Sequence, residues 1–501
     1  MTQLKNIPAL VWVILGFQLF RLALVPNMGM MPQDAYYSLY AHHLDWSYFD
    51  HPGMVAYLLF LFEWIFGHNL WSIKLMDWTV SSLGLWFFYL LASQILSKKR
   101  ALVAAFIWSS SLILSVLSLN TTPDVPLILF WTLALYSAHK ALYQGSKVHW
   151  WLTGIWMGMA FQSKYTALLL PLGLLALLII DPTLRIQLKR KEFYLSILIA
   201  LVIASPIYLW NAAHDFASFG FQTTERGSSF GLSKKSFGLL GGFLGSQMLV
   251  IYPVVFLSML SLCGVWLKKL WRHKRFPAGN QLFLAVFFVP TFLGFTLISP
   301  FYWVKINWLI PGFIGGILAI SMFYKSRWLP WHISIQSALH LVLVGQILFY
   351  LVPVQSDDTY WGWDKLNESF QNYTQTHADH FLFSSDNYKT SAIMQWMNPK
   401  SNWLGPNTLG GQGLQFGILY PNLDSLAGKN ALMIDSEPRF KNGDRSLNPP
   451  EKLQDYFTEV HTLEPILIKD SQGKLMRKFQ VYQAINYHPK GDATYTKRSI
   501  K

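Results

Sequence analysis

"PALVWVILGFQLFRLALV", Pro8 to Val25, and the "PQDAYYSLYAHHLDWSYFDHPG" that follows it, Pro32 to Gly53, together decide the fold. The first is apolar over the length a helix needs to cross about 30 Å of hydrocarbon. The second carries three aspartates and three histidines among many aromatics, with no lysine or arginine. A span followed at once by an acidic, cation-free segment reads as a helix crossing a membrane and a loop on the side that basic loops avoid. The single Lys5 before the run, with no small-residue cleavage motif, reads as part of a retained span rather than a signal peptide.

Outward from this pair, apolar stretches recur through the first 350 residues. Eleven spans are predicted, at 8–25, 72–97, 101–119, 125–143, 150–163, 165–180, 193–210, 239–267, 280–299, 307–324 and 331–353. Basic residues gather in alternate connections: Lys98-Lys99-Arg100, Lys140 with Lys147, Arg185 to Lys191, Lys268 to Arg275, and Lys325 with Arg327. These read as cytoplasmic, which puts "NTTPD", "WNAAHDF" and "SPFYWVKIN" on the opposite side with the loop 26–71. Within that loop "GMVAYLLFLFEWIFGHNL", residues 53–70, is apolar but interrupted by Glu63. Counting it as a span would turn every later basic loop outward, so it reads as a helix lying along the outer interface.

The composition agrees. The chain of 501 residues is 52% hydrophobic and 13% charged, against about one-quarter charged in soluble domains. Its formal charge of +14 sits in the cytoplasmic connections, so it calls for membrane lipids and not for nucleic acid as a partner. Cys263 is the only cysteine, which excludes an intramolecular disulfide. Beyond Val354 the chain turns polar, with strand-like "HFLFSS", "ALMIDS", "PILIKD" and "FQVYQAI" and a helical "NYKTSAIMQWM". The expected architecture is therefore a mainly α, polytopic membrane domain over 1–354 and a small α/β extracytoplasmic domain over 355–501. The "GGQGLQFG" of that tail lacks the spacing and preceding strand of a dinucleotide fingerprint and reads as a loop.

Asp34, Asp50, Asp124, His214 and Asp215 all fall at the mouths of predicted helices on the non-cytoplasmic side. An ionisable side chain costs about 2.5–3.5 kcal/mol at the bilayer centre, so such groups face a wet cavity or a partner. Taken one at a time they are explained by turns and helix caps, and the cations Lys74, Lys164, Arg226 and Lys305 by snorkelling. Their convergence on one face argues for chemistry. A carboxylate beside an acceptor hydroxyl can remove its proton, and cations beside a leaving phosphate stabilise the charge that develops there. That chemistry suits acyl or glycosyl transfer from a phospholipid-like donor.

"DAYYSLYAHHL…YFDHP", "TPDVPL", "SKYTALLLP", "WNAAHDF" and "NWLIPGF" resemble the bacterial GT-C glycosyltransferases, relatives of protein O-mannosyltransferases and aminoarabinose lipid A transferases. The resemblance implies about eleven transmembrane helices in the bacterial inner membrane, with the active site and tail on the periplasmic side. It implies inverting transfer of a sugar from a polyprenyl-phosphate donor, undecaprenyl phosphate in bacteria, to a hydroxyl or phosphate on lipid A, a glycan or a protein. By the same resemblance Asp34 is the general base or acceptor-orienting group, with Asp124 beside it in the catalytic set. Ala35 stands where the family has a second acid, and Tyr37 where aminoarabinose transferases have arginine. His51, Lys164 and Lys305 are expected at the donor phosphate. A divalent metal ion would sit between Asp50 and His214. A transporter or flippase of polyprenyl-linked glycan is the alternative. Against it, the chain shows no internal repeat, and its acids gather on one side rather than at the midplane.

Overall fold

Serines, prolines and glycines decide where the predicted spans break and how closely they pack. In the computed structural model, which describes residues 6–225, 231, 236–354 and 356–490, the first three quarters of the chain form a helical bundle. Lys5 and Arg226 lie outside the described residues. The bundle comprises α1 (Asn6–Leu24), α2 (Pro32–His42), α3 (Met54–Phe66), α4 (Leu70–Ile95), α5 (Lys98–Ser109), α6 (Leu112–Leu117), α7 (Asp124–Tyr143), α8 (Lys147–Ser163) and α9 (Leu169–Ile180). It continues through α10 (Lys191–Ala213), the short α11 (Ala217–Gly220), α12 (Ser236–Ile251), α13 (Pro253–His273), α14 (Asn280–Ile298), α15 (Ile310–Ser321) and α16 (Leu329–Phe349).

Among the described residues seven helices are long and apolar enough to cross a membrane: α1, α4, α7, α10, α13, α14 and α16. The chain is a multi-pass membrane protein. The other predicted spans are shorter or broken. The stretch 101–119 divides into α5 and α6 at Ser110-Ser111, where the Ser111 hydroxyl caps α6. The stretch 239–267 divides at Tyr252, whose φ of 80° precedes Pro253. Proline disfavours helical geometry in the residue before it, so one long span becomes α12 followed by a complete α13. All twelve residues of α15 are buried. A helix wrapped by protein has no need to match the lipid thickness.

Close helix crossings explain two glycines. A Cβ on Gly154 would stand 2.3 Å from the Ser196 carbonyl oxygen, and one on Gly158 would stand 2.7 Å from Ile203 Cβ. This small-residue pair, four apart on α8, lets α10 approach at backbone distance. The helix α3 has only 13 residues, about 20 Å, too short to span. It shows Phe60, Leu61, Trp64, Ile65 and Phe66 to the outside while burying Glu63, the pattern of an interfacial helix.

The C-terminal part contains α17 (Trp363–Thr376), α18 (Lys389–Met397), α19 (Gln415–Leu419) and α20 (Glu451–Gln454) around a mixed six-stranded sheet. Its strands are β1 (Phe381–Phe383), β2 (Trp403–Leu404), β3 (Ala431–Ser436), β4 (Phe457–Thr462), β5 (Ile466–Lys469) and β6 (Leu475–Tyr487), in the order β2-β1-β3-β6-β4. The long β6 pairs antiparallel with β3 on one side and with β4 and β5, end to end, on the other. Strands β1, β3, β5 and β6 and the helix α18 fall in the stretches expected from sequence, whereas the short β2 and the β4 segment carried no comparable apolar signal.

This sheet unit holds a pH-sensitive carboxyl. Burial, reinforced by the charge of Asp435, pushes Asp386 up to about 7, although Thr390 donates to it through both its amide (3.2 Å) and its hydroxyl. The folded chain keeps the Asp386 proton up to that pH, whereas an unfolded carboxyl loses it near pH 4. Stability therefore falls as pH rises through this window. Asp386→Asn, which cannot ionise, is expected to raise the unfolding temperature in detergent at pH 8 and leave it nearly unchanged at pH 4.

Candidate active site

Asp34 is the third residue of α2, where a carboxylate favours the helix N-terminus, and its Oδ2 accepts the Met31 amide at 2.8 Å. The same carboxylate pairs with Lys74 in the early turns of α4, and its Oδ1 accepts the Thr121 amide at 2.9 Å. Lys74 also donates to the Leu119 carbonyl at 2.5 Å, and both Lys74 and Asp34 are fully buried. A turn further along α4, Asp77 accepts the Thr121 hydroxyl at 2.7 Å. Both Asp34 oxygens are thus engaged and sealed from solvent. Lys74 is no snorkelling cation: it is the counter-ion of Asp34 and ties α2 and α4 to the 119–121 connection.

Asp124 opens α7 and Lys164 follows the last residue of α8, each at the helix end whose dipole favours its charge. They meet squarely, with Lys164 Nζ 2.9 Å from both Asp124 oxygens. Asn307, in the connection before α15, adds a 2.5 Å bond to Asp124 Oδ2. Asp124 is fully buried and Lys164 nearly so, leaving a narrow exposed margin.

Asp50 has a different environment. Its Oδ1 accepts the Tyr36 hydroxyl at 3.1 Å and the Tyr40 hydroxyl, one helical turn apart on α2. Its Oδ2 lies 3.9 Å from His51 Nε2. Burial first, and then the Asp50 charge, holds both tyrosine hydroxyls well above their ordinary range, so they remain donors. The sheet unit closes over this place. Tyr388 packs on Tyr36 at a centroid distance of 4.2 Å, the Gln415 amide donates to the Tyr36 hydroxyl at 3.2 Å, and Gln415 Oε1 accepts the Phe49 amide at 3.0 Å. From the other flank Gln222 donates to the Asp50 carbonyl at 2.6 Å. These links place Asp50 beneath the sheet unit, with Asp34 two residues before Tyr36 on the same helix and Asp124 three residues beyond the Thr121 that bonds Asp34.

The remaining expected residues are placed as follows. His214 follows the end of α10, partly exposed, its ring stacked on Trp210 at 4.1 Å and its Nδ1 against the Trp210 carbonyl at 2.9 Å. Trp210 in turn donates to Asp45 at 2.7 Å. Asp50 and His214, the expected metal pair, are each held by partners of their own. Lys305 is exposed in the connection before α15, and Asp215 is exposed at φ 51°.

Sequence reasoning missed four participants. Tyr36 and Tyr40 passed as two aromatics among many, although their spacing of four puts both on one helix face. Gln415 lay in a segment read as plain loop. Asp77 lay inside a span, where an acid three residues from Lys74 was the available signal.

The model of the dolichyl-phosphate-mannose-protein mannosyltransferase family matches residues 50–210. The chain is 26% identical over 363 residues to the lipid A galacturonosyltransferase RgtD of Rhizobium johnstonii, covering 68% of this chain and 70% of that one. It is 28% identical over 218 residues to the undecaprenyl phosphate-alpha-4-amino-4-deoxy-L-arabinose arabinosyl transferase of Pseudomonas paraeruginosa, covering 39% of each. Its fold matches ArnT of Cupriavidus metallidurans, solved bound to undecaprenyl phosphate, with a TM-score of 0.59 over 96% of this chain and 98% of that one, at 14% identity.

Proposed function

We propose a specific reaction for this chain, which is an integral-membrane glycosyltransferase of the GT-C type. It transfers a sugar from a polyprenyl-phosphate donor to lipid A, on the periplasmic face of the bacterial inner membrane. The observation that carries the reading is the linkage of Asp34, Asp50 and Asp124, with two lysines, through α2 and the segment 119–124, with the sheet unit over Asp50. The relative named as a lipid A galacturonosyltransferase supports the choice of acceptor, and the one named for an undecaprenyl phosphate-linked sugar supports the donor. The basic connections at 98–100, 185–191 and 268–275 support the orientation, with the site on the side they avoid.

In this reading an acceptor oxygen attacks the anomeric carbon of the donor. Its proton passes to Asp50, whose side chain keeps a narrow exposed margin where that of Asp34 has none. The bond from that carbon to the phosphate oxygen breaks on the opposite face, so the configuration inverts and polyprenyl phosphate leaves. His51, Lys164 and Lys305 stabilise the charge on the departing phosphate. Tyr36 and Tyr40 hold Asp50 in orientation, while Asp34 and Asp124 act as fixed posts that position α2 and Lys164. The Asp34 assignment departs from the resemblance because a general base has to be within reach of the acceptor, and the Asp34 side chain is fully buried against Lys74.

Mass spectrometry of lipid A from cells with and without this chain tests the reaction, since an added uronic acid or aminopentose that depends on the chain names both substrates. Unchanged lipid A together with an altered surface glycan would move the acceptor elsewhere. Lys164→Ala is expected to raise the donor KM about tenfold or more, and an unaltered donor affinity would reduce Lys164 to a partner of Asp124.

A further inference from the structure

Two histidines and a glutamate that the transfer reaction does not use meet at the far end of α2. His42 Nε2 lies 2.8 Å and His68 Nδ1 3.4 Å from the same Glu63 oxygen, and the three ligand atoms all fall within 4.8 Å of one another. We infer that His42, Glu63 and His68 form a divalent-cation site of the zinc type, which clips the interfacial helix α3 to α2 and to the sheet unit.

Three features distinguish this place from an ordinary ion pair. The donor set is two imidazoles and one carboxylate, which zinc takes with bonds of about 2.0–2.1 Å. Tetrahedral bonds of that length hold ligand atoms about 3.3 Å apart. The separations of 2.8 and 3.4 Å bracket that value, and the two imidazole atoms lie within 4.8 Å of each other. The second feature is orientation. Ser38 donates to the other Glu63 oxygen at 2.8 Å, and the His68 ring packs 5.1 Å from the Trp396 ring. Such outer contacts hold the carboxylate and the imidazole ring in orientation in metal sites. The third is access. Glu63 is buried while the His42 and His68 side chains are 44% and 32% exposed, so a water molecule can complete the coordination from the open side.

The chain pattern explains why a carboxylate stands in an otherwise apolar interfacial helix. Glu63 lies on the buried face of α3, His42 ends α2, and His68 falls in the short turn before α4. A cation there joins three segments that otherwise meet through side-chain packing, and Trp396 extends the junction to α18. The eight residues from Asp34 to His42 separate the two ends of α2 by about 12 Å, so the clip is structural and acts through the placement of α2.

The test uses the purified full-length chain in detergent, loaded with zinc sulfate, desalted and analysed for metal. About one zinc per chain is expected in the wild type and less than a tenth of that in His42→Ala/His68→Ala. Zinc is also expected to raise the unfolding temperature of the wild type and to leave that of the double variant unmoved. His42→Cys, which keeps a ligand, should retain the metal. A folded wild type that holds no zinc, or zinc that persists undiminished in the double variant, would overturn the inference. Should the double variant fail to fold, Glu63→Gln, which keeps the shape and the Ser38 contact, gives the same reading of metal content. Metal content is read without a sugar donor, so its outcome is independent of the proposed reaction.

Discussion

Asp50→Asn is expected to lower the turnover number by about two to four orders of magnitude, the range that a positioned general base supplies. The amide keeps the size of the carboxylate, and its Oδ1 still accepts from Tyr36 and Tyr40, so the variant should fold and bind donor as the wild type does. It loses the ability to take the acceptor proton. The measurement is transfer of labelled sugar by purified protein, beside donor binding on the same preparation. Turnover within a few-fold of the wild type would remove Asp50 from the acid–base role. A fall in donor affinity as large as the fall in turnover would place it at the phosphate instead.

The second large effect concerns the pair beneath it. Lys74→Met leaves Asp34 as an uncompensated buried charge, and breaking such a pair costs about 3–5 kcal/mol. The expected result is a large loss of thermal stability in detergent, together with loss of transfer. Asp34→Asn combined with Lys74→Met removes both charges, so most of the lost stability should return while activity stays low, because α2 loses its tie to α4. The single Asp34→Asn separates two roles. If Asp34 is a post, stability and donor binding fall together with turnover. If turnover vanishes in a protein as stable as the wild type, with donor still bound, Asp34 is the base and the present assignment fails.

These experiments turn on contacts whose visibility in the sequence was uneven. Asp34, Asp50 and Asp124 stood out because each is an acid at the mouth of an apolar run, a one-dimensional signal. Lys74 and Lys164 stood out for the same reason, but as isolated cations. Their partners lie 40 residues away in both cases, on different helices. Nothing local in "WSIKLMDW" says that the lysine faces Asp34 rather than a lipid headgroup. Glu63 was noticed only as an interruption of a hydrophobic helix, since its two histidines come from separate segments. The break at Tyr252 was latent in the following proline, but the apolar run continued on both sides and hid it.

Hydrophobic length and the placement of lysine and arginine are sums over consecutive residues, and the bilayer acts on them directly. For that reason the sequence by itself determined a multi-span helical protein, the alternation of its basic connections and a polar tail with strand-like segments. Which carboxylate is sealed and which is reachable depends on where helices cross, and crossings are set by packing between residues far apart in the chain. Gln415 meets Tyr36 across 379 positions, a contact no local pattern encodes. Only the tertiary structure decided that Asp34 is locked to Lys74 while Asp50 stands under two tyrosines and the sheet.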